Sequence, residues 1–508
     1  MSRINTNVQS LIGQRVLGQN NNGLSQSLER LSTGLRINRG KDDPAGLIAS
    51  ERLRSEKSSL SAAIGNADRA DQVVNIAEGG LSEVSGLLVE LQGLVTTTAN
   101  SAGLSNDEKK ANQLQIDSIL QTIDRVAGAT SFQGKRLLNG SLDYQTTNVN
   151  SGVQSFKVNG AKVTGSGLDV QAIVTQSAQQ AGLYLSAGGT ALNFNGSASG
   201  VFTVEIAGSK GSRELSFASG TTLADVAKAI NSFTNVTGVK ATSSGTGLSL
   251  NSSEFGKNEF VSVRTVSAPA GLQGSGIYNF SAAAATTVNS GTGLAFSSAT
   301  NGKRDEGQDI GATINGVQAT SSGKTARVNT DFLDVEVTFL TGKSQSLQAV
   351  DAFKITGGGA DFQLAGQVDI AGRVAIGIGN VATRKLGATA TIAGGLEFLS
   401  SLASGQANNV VSISDLSGAQ KIVSAAIDEV NTLRGRLGAF QKNTIGATVR
   451  SLGVSLENTT AAESSIRDAN FASETAALTR NQILVQAATN VLGIANQSPQ
   501  ASLSLLRG

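Results

Sequence analysis

Apolar residues recur at intervals of three and four along both ends of the chain. Leu60, Ala63, Ala67, Ala70, Val74, Ala77, Leu81, Val84, Leu88, Leu91 and Val95 keep that spacing without a miss. Far downstream, Leu416, Ala419, Val423, Ala426, Val430, Leu433, Leu437 and Phe440 repeat it. The spacing predicts one narrow apolar seam per helix, a coiled-coil pattern rather than a broad globular stripe. Neither seam is satisfied alone in water, so the two ends are expected to pair as a rod.

Around these seams the first zone, about 1–140, reads as helical. Val8, Leu11 and Ile12 open an amphipathic segment that Leu24, Leu28, Leu31 and Leu35 continue, until Gly34 and Asn38-Arg39-Gly40 interrupt it. Asp43 then offers a cap and Pro44 sits in the first turn, where its missing N–H costs nothing. From Pro44 to about Asn100 the only breakers are single glycines and Gly79-Gly80, which predicts a helix of roughly 80 Å. After a turn at Ser101 to Leu104, Ser105 and Glu108 form a capping box for a third helix carrying Ile116, Leu120, Ile123 and Ala127.

The middle zone, about 141–410, replaces heptads with strand alternation. Phe202, Val204 and Ile206 lie on one face, Ser209-Lys210-Gly211-Ser212 turns, and Leu215 and Phe217 return. Thr222 with Asp225 caps a short helix bearing Leu223, Val226, Ala227 and Ile230, and further strands give a β-β-α-β-β unit. A second β-rich stretch begins near Ala312, with an Asn315-Gly316 turn, and ends around Asp369 to Gly379. The third zone, about 411–508, is helical again: Ser417 and Gln420 suggest a capping box, Asn443 to Asn458 a softer region, and Leu484, Ala488, Val491 and Ala495 a last helix ending at Ser498-Pro499.

Composition narrows the chemistry. The 508 residues carry a net charge of +2 and include no His, Cys or Trp. With no Lys/Arg block, neither nucleic acid nor an anionic membrane is expected as a partner. Catalytic triads with His, Cys–His pairs, His-based zinc sites and thiolate metal sites are excluded by residue type. No run of about 18 apolar residues occurs, so membrane insertion is not expected. Met1 to Asn22 is polar, and a secretory signal peptide is not expected either.

Two local patterns invite a site reading. Gly377-Ile378-Gly379-Asn380-Val381-Ala382 fits G-x-G-x-x-A, but no βαβ pattern surrounds it, and a glycine-rich loop accounts for it. Asp42-Asp43 is either a carboxylate pair or a helix start, and the latter fits Pro44. No catalytic, cofactor or metal residue is assigned, and no enzyme activity is expected. Glu51, Arg52, Arg54, Glu56 and Lys57 form a mixed-charge helix face that is either solvated or a subunit contact. The terminal segments, rich in small and polar residues, would be marginal as a lone hairpin; they are either disordered tails or fold when neighbouring copies cover them.

Several stretches resemble the bacterial flagellin family. Ser32-Thr33-Gly34-Leu35-Arg36-Ile37-Asn38 and Lys41-Asp42-Asp43-Pro44-Ala45-Gly46 are similar to its first inter-helix connector. Ile123-Asp124-Arg125-Val126 with Phe132-Gln133-Gly134, and Ile466-Arg467-Asp468-Ala469-Asn470-Phe471, Gln482-Ile483-Leu484, Ala495-Asn496-Gln497-Ser498-Pro499 and Ser504-Leu505-Leu506-Arg507-Gly508, match further family signatures. Phe202 to Val263, with Ala229-Ile230-Asn231 and Gly238-Val239-Lys240-Ala241, resembles the IN motif that hook-associated proteins share.

The resemblance implies an α+β multidomain protein: a long antiparallel coiled-coil helical rod from the N- and C-terminal segments, with a β-rich central insert. Residues 1–42 plus 468–508 would be inner-core terminal helices. Residues 43–165 plus 411–467 would be the outer-core rod, with a possible β-hairpin near 140–165. Residues 166–410 would be a variable surface insert of one or two subdomains, its IN-like motif at about 200–266. The intrasubunit seam would use Leu60, Ala67, Val74, Leu81, Val84, Leu88, Leu91, Val95, Val423, Val430, Leu433, Leu437 and Phe440. Polymerisation would use Val8, Leu11, Leu24, Leu28, Leu31, Leu35, Leu484, Val491, Leu505 and Leu506.

The implied function is structural: an extracellular flagellar filament for motility, a homo-polymer needing no cofactor. The family also implies type III export without a cleaved signal peptide, an export chaperone, a distal cap and hook-associated partners. The alternatives are a hook–filament junction or other hook-associated protein, a flagellin with an enzymatic insert, and an adhesin. One departure stands out. The family's innate-receptor region carries an Arg and, seven residues later, a Gln; alignment on Thr98-Ala99-Asn100 puts Glu90 and Thr97 there, with Leu94 kept. The charge reversal implies weak receptor recognition.

Overall fold

The computed structural model describes residues 6–100, 103–163, 165, 167–194, 200–269, 272, 276–280, 288–390, 396–412 and 415–506, the side chains of 390 and 498–506 excepted. Ile4-Asn5 at the start, Ser101-Ala102 in the turn and Arg507-Gly508 at the end lie outside these residues, as do the side chains of Leu505 and Leu506. The longer helices are α1 (Val8–Thr33), α2 (Pro44–Thr98), α3 (Asn106–Ala129), α4 (Leu223–Ser232), α5 (Ser417–Ala439), α6 (Gly446–Arg467) and α7 (Phe471–Leu506). Two compact units emerge: residues 1–75, 362–374 and 434–508 form one, and 76–361 and 375–433 the other.

In the first unit, helix ends follow local rules. The Asn7 side chain accepts the Ser10 amide to start α1, and Gly34 ends it at φ 70°. Asp43 Oδ1 accepts the Gly46 amide at 2.9 Å where α2 begins. Gly46 itself is dictated by crowding, since a Cβ there would meet Asp43 Oδ2 at 2.4 Å and Ile37 Cδ1 at 2.7 Å. Ion pairs set the packing direction of α2 against α6: Arg467 to Glu51 at 2.7 Å and Lys57 to Glu463 at 2.7 Å. Gln441 continues that antiparallel order, donating to Asp71 at 2.8 Å and Asn75 at 2.9 Å.

Helix structure extends further than the sequence suggested. The softer region expected at Asn443 to Asn458 is a π-helical turn, Phe440–Ile445, followed directly by α6. The end expected at Ser498-Pro499 is not an end, because α7 continues to Leu506. α5 takes its cap from Asp415, whose carboxylate accepts the Ser417 amide at 2.9 Å, rather than starting at the expected Ser417/Gln420 box.

The second unit holds α3 and the β-rich region. Gly80, within α2, permits close approach of the 130–138 loop, for a Cβ would meet Thr130 Oγ1 at 2.7 Å and Leu138 Cδ1 at 2.8 Å. Ser105 and Glu108 make the reciprocal capping box at the start of α3. Buried Gln113 then holds a long loop, donating to Leu402 O at 2.9 Å and accepting from the Val410 amide at 3.0 Å. Asp124 takes the Thr383 amide at 2.8 Å and its hydroxyl at 2.9 Å.

The strands of its four larger sheets, in chain order, begin with β1 (Tyr144–Thr147), β2 (Val153–Ala161), β3 (Leu168–Gln176) and β4 (Gly182–Ser186). Next come β5 (Val201–Gly208), β6 (Gly211–Ala218), β7 (Val239–Ser244), β8 (Gly247–Ser252), β9 (Phe260–Ser267), β10 (Gly276–Asn279) and β11 (Lys303–Glu306). The last are β12 (Gly311–Ile314), β13 (Val317–Gln318), β14 (Thr320–Ser322), β15 (Thr325–Asn329), β16 (Leu333–Phe339) and β17 (Ala349–Gly358).

They surround two separate cores. Sheets β10-β4-β8-β7 and β11-β9-β5-β6, with α4, enclose one around Leu183, Ile206, Val226, Leu250 and Val263. Sheets β13-β12-β3-β17-β1 and β14-β15-β16-β2 enclose the other around Val170, Ile314, Val335, Phe339 and Ile355. The first is spliced into the second through a two-stranded neck, Gln179 N to Gln308 O at 2.8 Å and Gln308 N to Gln179 O at 3.0 Å.

This nesting corrects the hairpin expected near 140–165. β1 pairs with β17 and β2 with β16, so the two lie in different sheets and do not form a hairpin. Their partners are distant in sequence, Val158 opposite Val335, which local turn signals cannot reveal. The glycine-rich stretch at 377–382 forms no nucleotide loop: no helix follows it, and Ile378, Val381 and Ala382 are buried.

Candidate assembly surface of the terminal helices

α1 and α7 lie antiparallel, and polar contacts fix the pairing along their length. Asn7 Nδ2 donates to Ala495 O at 2.7 Å, Ser10 Oγ to Asn496 Oδ1 at 2.8 Å, and Asn20 Nδ2 to Leu484 O at 3.3 Å. Nearer the other end, Asn481 Nδ2 reaches Ser27 Oγ at 3.2 Å and Arg30 pairs with Glu474 at 3.0 Å. The connectors beyond are zipped by backbone bonds, Arg36 N to Arg467 O at 2.7 Å and Ala469 N to Gly34 O at 2.9 Å.

The pair is inverted relative to a globular helix pair. Its buried positions are small: Gly13 and Ser27 on α1, Ala488 and Ala495 on α7. A Cβ on Gly13 would meet Leu492 Cδ1 at 3.2 Å, so the helices approach closely there. Many large apolar side chains nevertheless face out, while Leu17, Leu24, Leu31, Leu478, Val485 and Leu492 are half-buried. Val8, Leu11, Ile12 and Leu28 are 48–58% exposed, and Ile483, Val491 and Ile494 are 57–69% exposed.

Of the residues predicted to polymerise, Val8, Leu11, Leu28, Leu484 and Val491 are exposed, while Leu24, Leu31 and Leu35 are half-buried. Leu505 and Leu506 close α7, their side chains outside the described residues. Sequence reading missed Val16, Phe471, Ile483 and Ile494 as exposed apolar members of these helices, though Ile483 and Ile494 are visible as apolar neighbours of Leu484 and Val491. It also missed Asn7, whose polar side chain carries no hydrophobic signal.

The seam behaves oppositely. Ala67, Val74, Leu81, Val84, Leu88, Leu91, Val423, Val430 and Leu437 have no exposed surface, Val95 has 1%, and Leu60, Leu433 and Phe440 have 7–8%. α6, by contrast, has no buried residue along its length; Leu456, Glu457, Thr460 and Ala461 line a shallow groove on it. Glu90 and Thr97 are exposed on α2 and Leu94 is half-buried, so i, i+4 and i+7 present one face.

Carboxylates in this protein serve as caps and clamps. The Arg39 backbone amide, against a weaker burial effect and with help from the Asn38 amide and nearby Lys41, holds the Asp42 carboxyl below its usual range. That is a connector role rather than paired acid–base chemistry. For Asp117, burial pushes the carboxyl up, but the Ser404 hydroxyl and amide with the Gln113 side chain outweigh it and hold it low. Among the described residues no helix is long and apolar enough to cross a membrane.

Comparison with known proteins bears on the whole chain. Residues 4–143 match the bacterial flagellin N-terminal helical region, 420–506 the bacterial flagellin C-terminal helical region, and 201–254 the flagellin hook IN motif. The chain is similar to the B-type flagellin of Pseudomonas aeruginosa, 31% identical with 99% of each chain covered. It is likewise similar to flagellin B of Vibrio cholerae, 28% identical with 99% of each covered. The flagellar junction protein FlgL of Legionella pneumophila shares 12% identity over 82% of this chain and 99% of its own, with a TM-score of 0.27.

Proposed function

The chain belongs to the bacterial flagellin family, structural subunits of the extracellular flagellar filament, and from that premise we propose that it polymerises through the outward faces of α1 and α7. One observation carries this reading: Val8, Leu11, Ile12, Leu28, Ile483, Val491 and Ile494 are 48–69% exposed on the terminal pair, whose buried positions among the described residues are Gly13, Ser27, Ala488 and Ala495. Burying a Leu, Ile or Val side chain is worth about 1.5–3 kcal/mol, and a neighbouring copy is what a filament supplies. Contacts that repeat head to tail without closing generate a fibre.

On this proposal Val8, Leu11, Leu24, Leu28, Leu31, Leu35, Leu484, Val491, Leu505 and Leu506 serve assembly, and the 60–95 and 416–440 seams serve the subunit. Residues 1–42 plus 468–508 form the inner core and 43–165 plus 411–467 the outer core, with 166–410 as solvent-facing insert. Strand pairing supports moving β1 and β2 from the outer core to the insert. The chain acts without catalysis. An export chaperone, a distal cap and hook-associated proteins are its further partners. Glu90 and Thr97 weaken recognition by the innate receptor. Full-length relatives named flagellin favour a filament subunit over a junction protein.

Deletion of residues 1–30 or 480–508 tests the reading. Each truncated chain is expected to keep cooperative thermal unfolding of the seam helices yet form no filaments by electron microscopy. Filaments from both truncations would overturn it.

A further inference from the structure

Resting on that assembly role of the terminal helices, we propose that Asn7 locks the register of α1 on α7 at the end far from the connectors, using a carbonyl that the sequence of α7 itself leaves unpaired. Packing alone specifies register weakly here. The buried alanines of α7, Ala488 and Ala495, are one heptad apart, and the buried small residues of α1, Gly13 and Ser27, are two heptads apart. The spacing of these small positions alone therefore does not distinguish registers seven residues apart, although Gly13 faces Leu492 in the one observed.

Arg30 with Glu474, Asn481 with Ser27 and the connector backbone bonds hold the alignment at one end of the pair, and at the other end Pro499 makes a further polar feature that does not repeat. Proline has no N–H, so inside a helix it leaves the carbonyl four residues earlier without its usual donor. The chain has three prolines. Pro44 opens α2, where no such bond is lost, and residue 269 is outside the helices. Pro499 lies within α7, so Ala495 O is the carbonyl left open. Asn7 Nδ2 donates to that oxygen at 2.7 Å, while Asn7 Oδ1 accepts the Ser10 amide at 3.0 Å and caps α1.

One side chain thus starts the N-terminal helix and completes the C-terminal one. Both halves of the Asn7 amide are used; the cap on α1 survives a slipped register, but the donation to Ala495 O does not. Ser10 Oγ on Asn496 Oδ1 at 2.8 Å adds a neighbouring bond in the same alignment.

Asn7→Asp separates the two roles, because Asp caps as well as Asn but cannot donate to a carbonyl. Pro499→Ala supplies the missing N–H and removes the reason for the contact. In full-length chain, Asn7→Asp is expected to raise the critical concentration for polymerisation about tenfold, ~1.4 kcal/mol. In the Pro499→Ala background the same change is expected to raise it no more than about twofold, the orphan carbonyl being gone. Since the chain has no Cys, register is read directly in filaments: Ser10→Cys/Asn496→Cys should cross-link in preference to the slipped Ser10→Cys/Thr489→Cys, and Asn7→Asp should weaken the preference.

Equal effects of Asn7→Asp in both backgrounds, or an unchanged cross-linking preference, would overturn the register role. If both terminal truncations still abolish filaments, that failure is confined to Asn7. Filaments from the truncations would remove the assembly reading beneath it.

Discussion

Leu11 and Ile494 are 58% and 69% exposed in the single chain, and replacing both by Gln isolates what assembly gains from the terminal faces. Gln keeps helix propensity close to Leu, so backbone effects stay small. Full burial of such a side chain is worth about 2 kcal/mol, within the range of ~1.5–3. Scaled by the exposed fractions, about 1.2 and about 1.4 kcal/mol remain to be gained when a neighbour covers them, about 2.6 kcal/mol together. At about 1.4 kcal/mol per tenfold, the critical concentration rises about 70-fold. Sedimentation of polymer across a concentration series measures it. The subunit's own thermal unfolding should move little, because surface substitutions are usually within ~0.5 kcal/mol. Leu88→Ala provides the opposite signature: Leu88 has no exposed surface, so it should lose about 2–5 kcal/mol of subunit stability. Assembly of the Leu11→Gln/Ile494→Gln chain at the parent's critical concentration would refute the reasoning.

Three further outcomes are expected. Gln113→Ala leaves Leu402 O and the Val410 amide without their partner and should destabilise the second unit by about 1–3 kcal/mol, seen as a lower denaturant midpoint. Asp117 has a lowered folded-state pKa, so its contribution is present above the unfolded value of about 3.9 and disappears as pH falls through the lowered folded value; between pH values of about 6 and about 3 the parent should lose more thermal stability than Asp117→Asn, and parallel pH profiles would count against the Ser404 clamp. Glu90→Arg removes the charge departure on the exposed α2 face, so purified monomer should signal more strongly than the parent in innate-receptor reporter cells; full-strength signalling by the parent would contradict the receptor reading.

Where function is carried by periodicity, the sequence was informative. A three-four step of apolar residues is a local property of the chain, and the residues from Leu60 to Val95 that keep it are all buried. Capping is equally local, which is why the Ser105/Glu108 and Thr222/Asp225 starts could be read. Strand partnership is not local. β2 and β16 are joined only after the whole of the other β core has been threaded between them, so a hairpin is expected where the two strands belong to different sheets.

Pro499 shows a subtler limit. Taken alone, a proline argues that a helix stops, because an amide is missing and a carbonyl is stranded. The stop depends on that carbonyl having no other donor, and Asn7 provides one from almost five hundred residues away in sequence. A breaker and a cap, each interpreted separately, describe two helix ends; joined, they describe a contact between the termini.

The inverted packing of α1 and α7 makes this contact consequential. Ordering backbone costs about 1–2 kcal/mol per residue, and a helix pair whose buried positions among the described residues are Gly13, Ser27, Ala488 and Ala495, with Leu24, Leu31 and Leu492 only half-buried, covers part of its apolar surface against that cost. On the proposed assembly, the missing stabilisation comes from covering Leu11, Ile12, Val491 and Ile494 with other copies. Outward faces can attract a neighbour in more than one alignment, whereas a lattice requires every subunit to present the same one. A register lock worth about tenfold adds to the Arg30–Glu474 pair and the connector bonds, and it matters because a slipped pair misplaces its whole outward face at once.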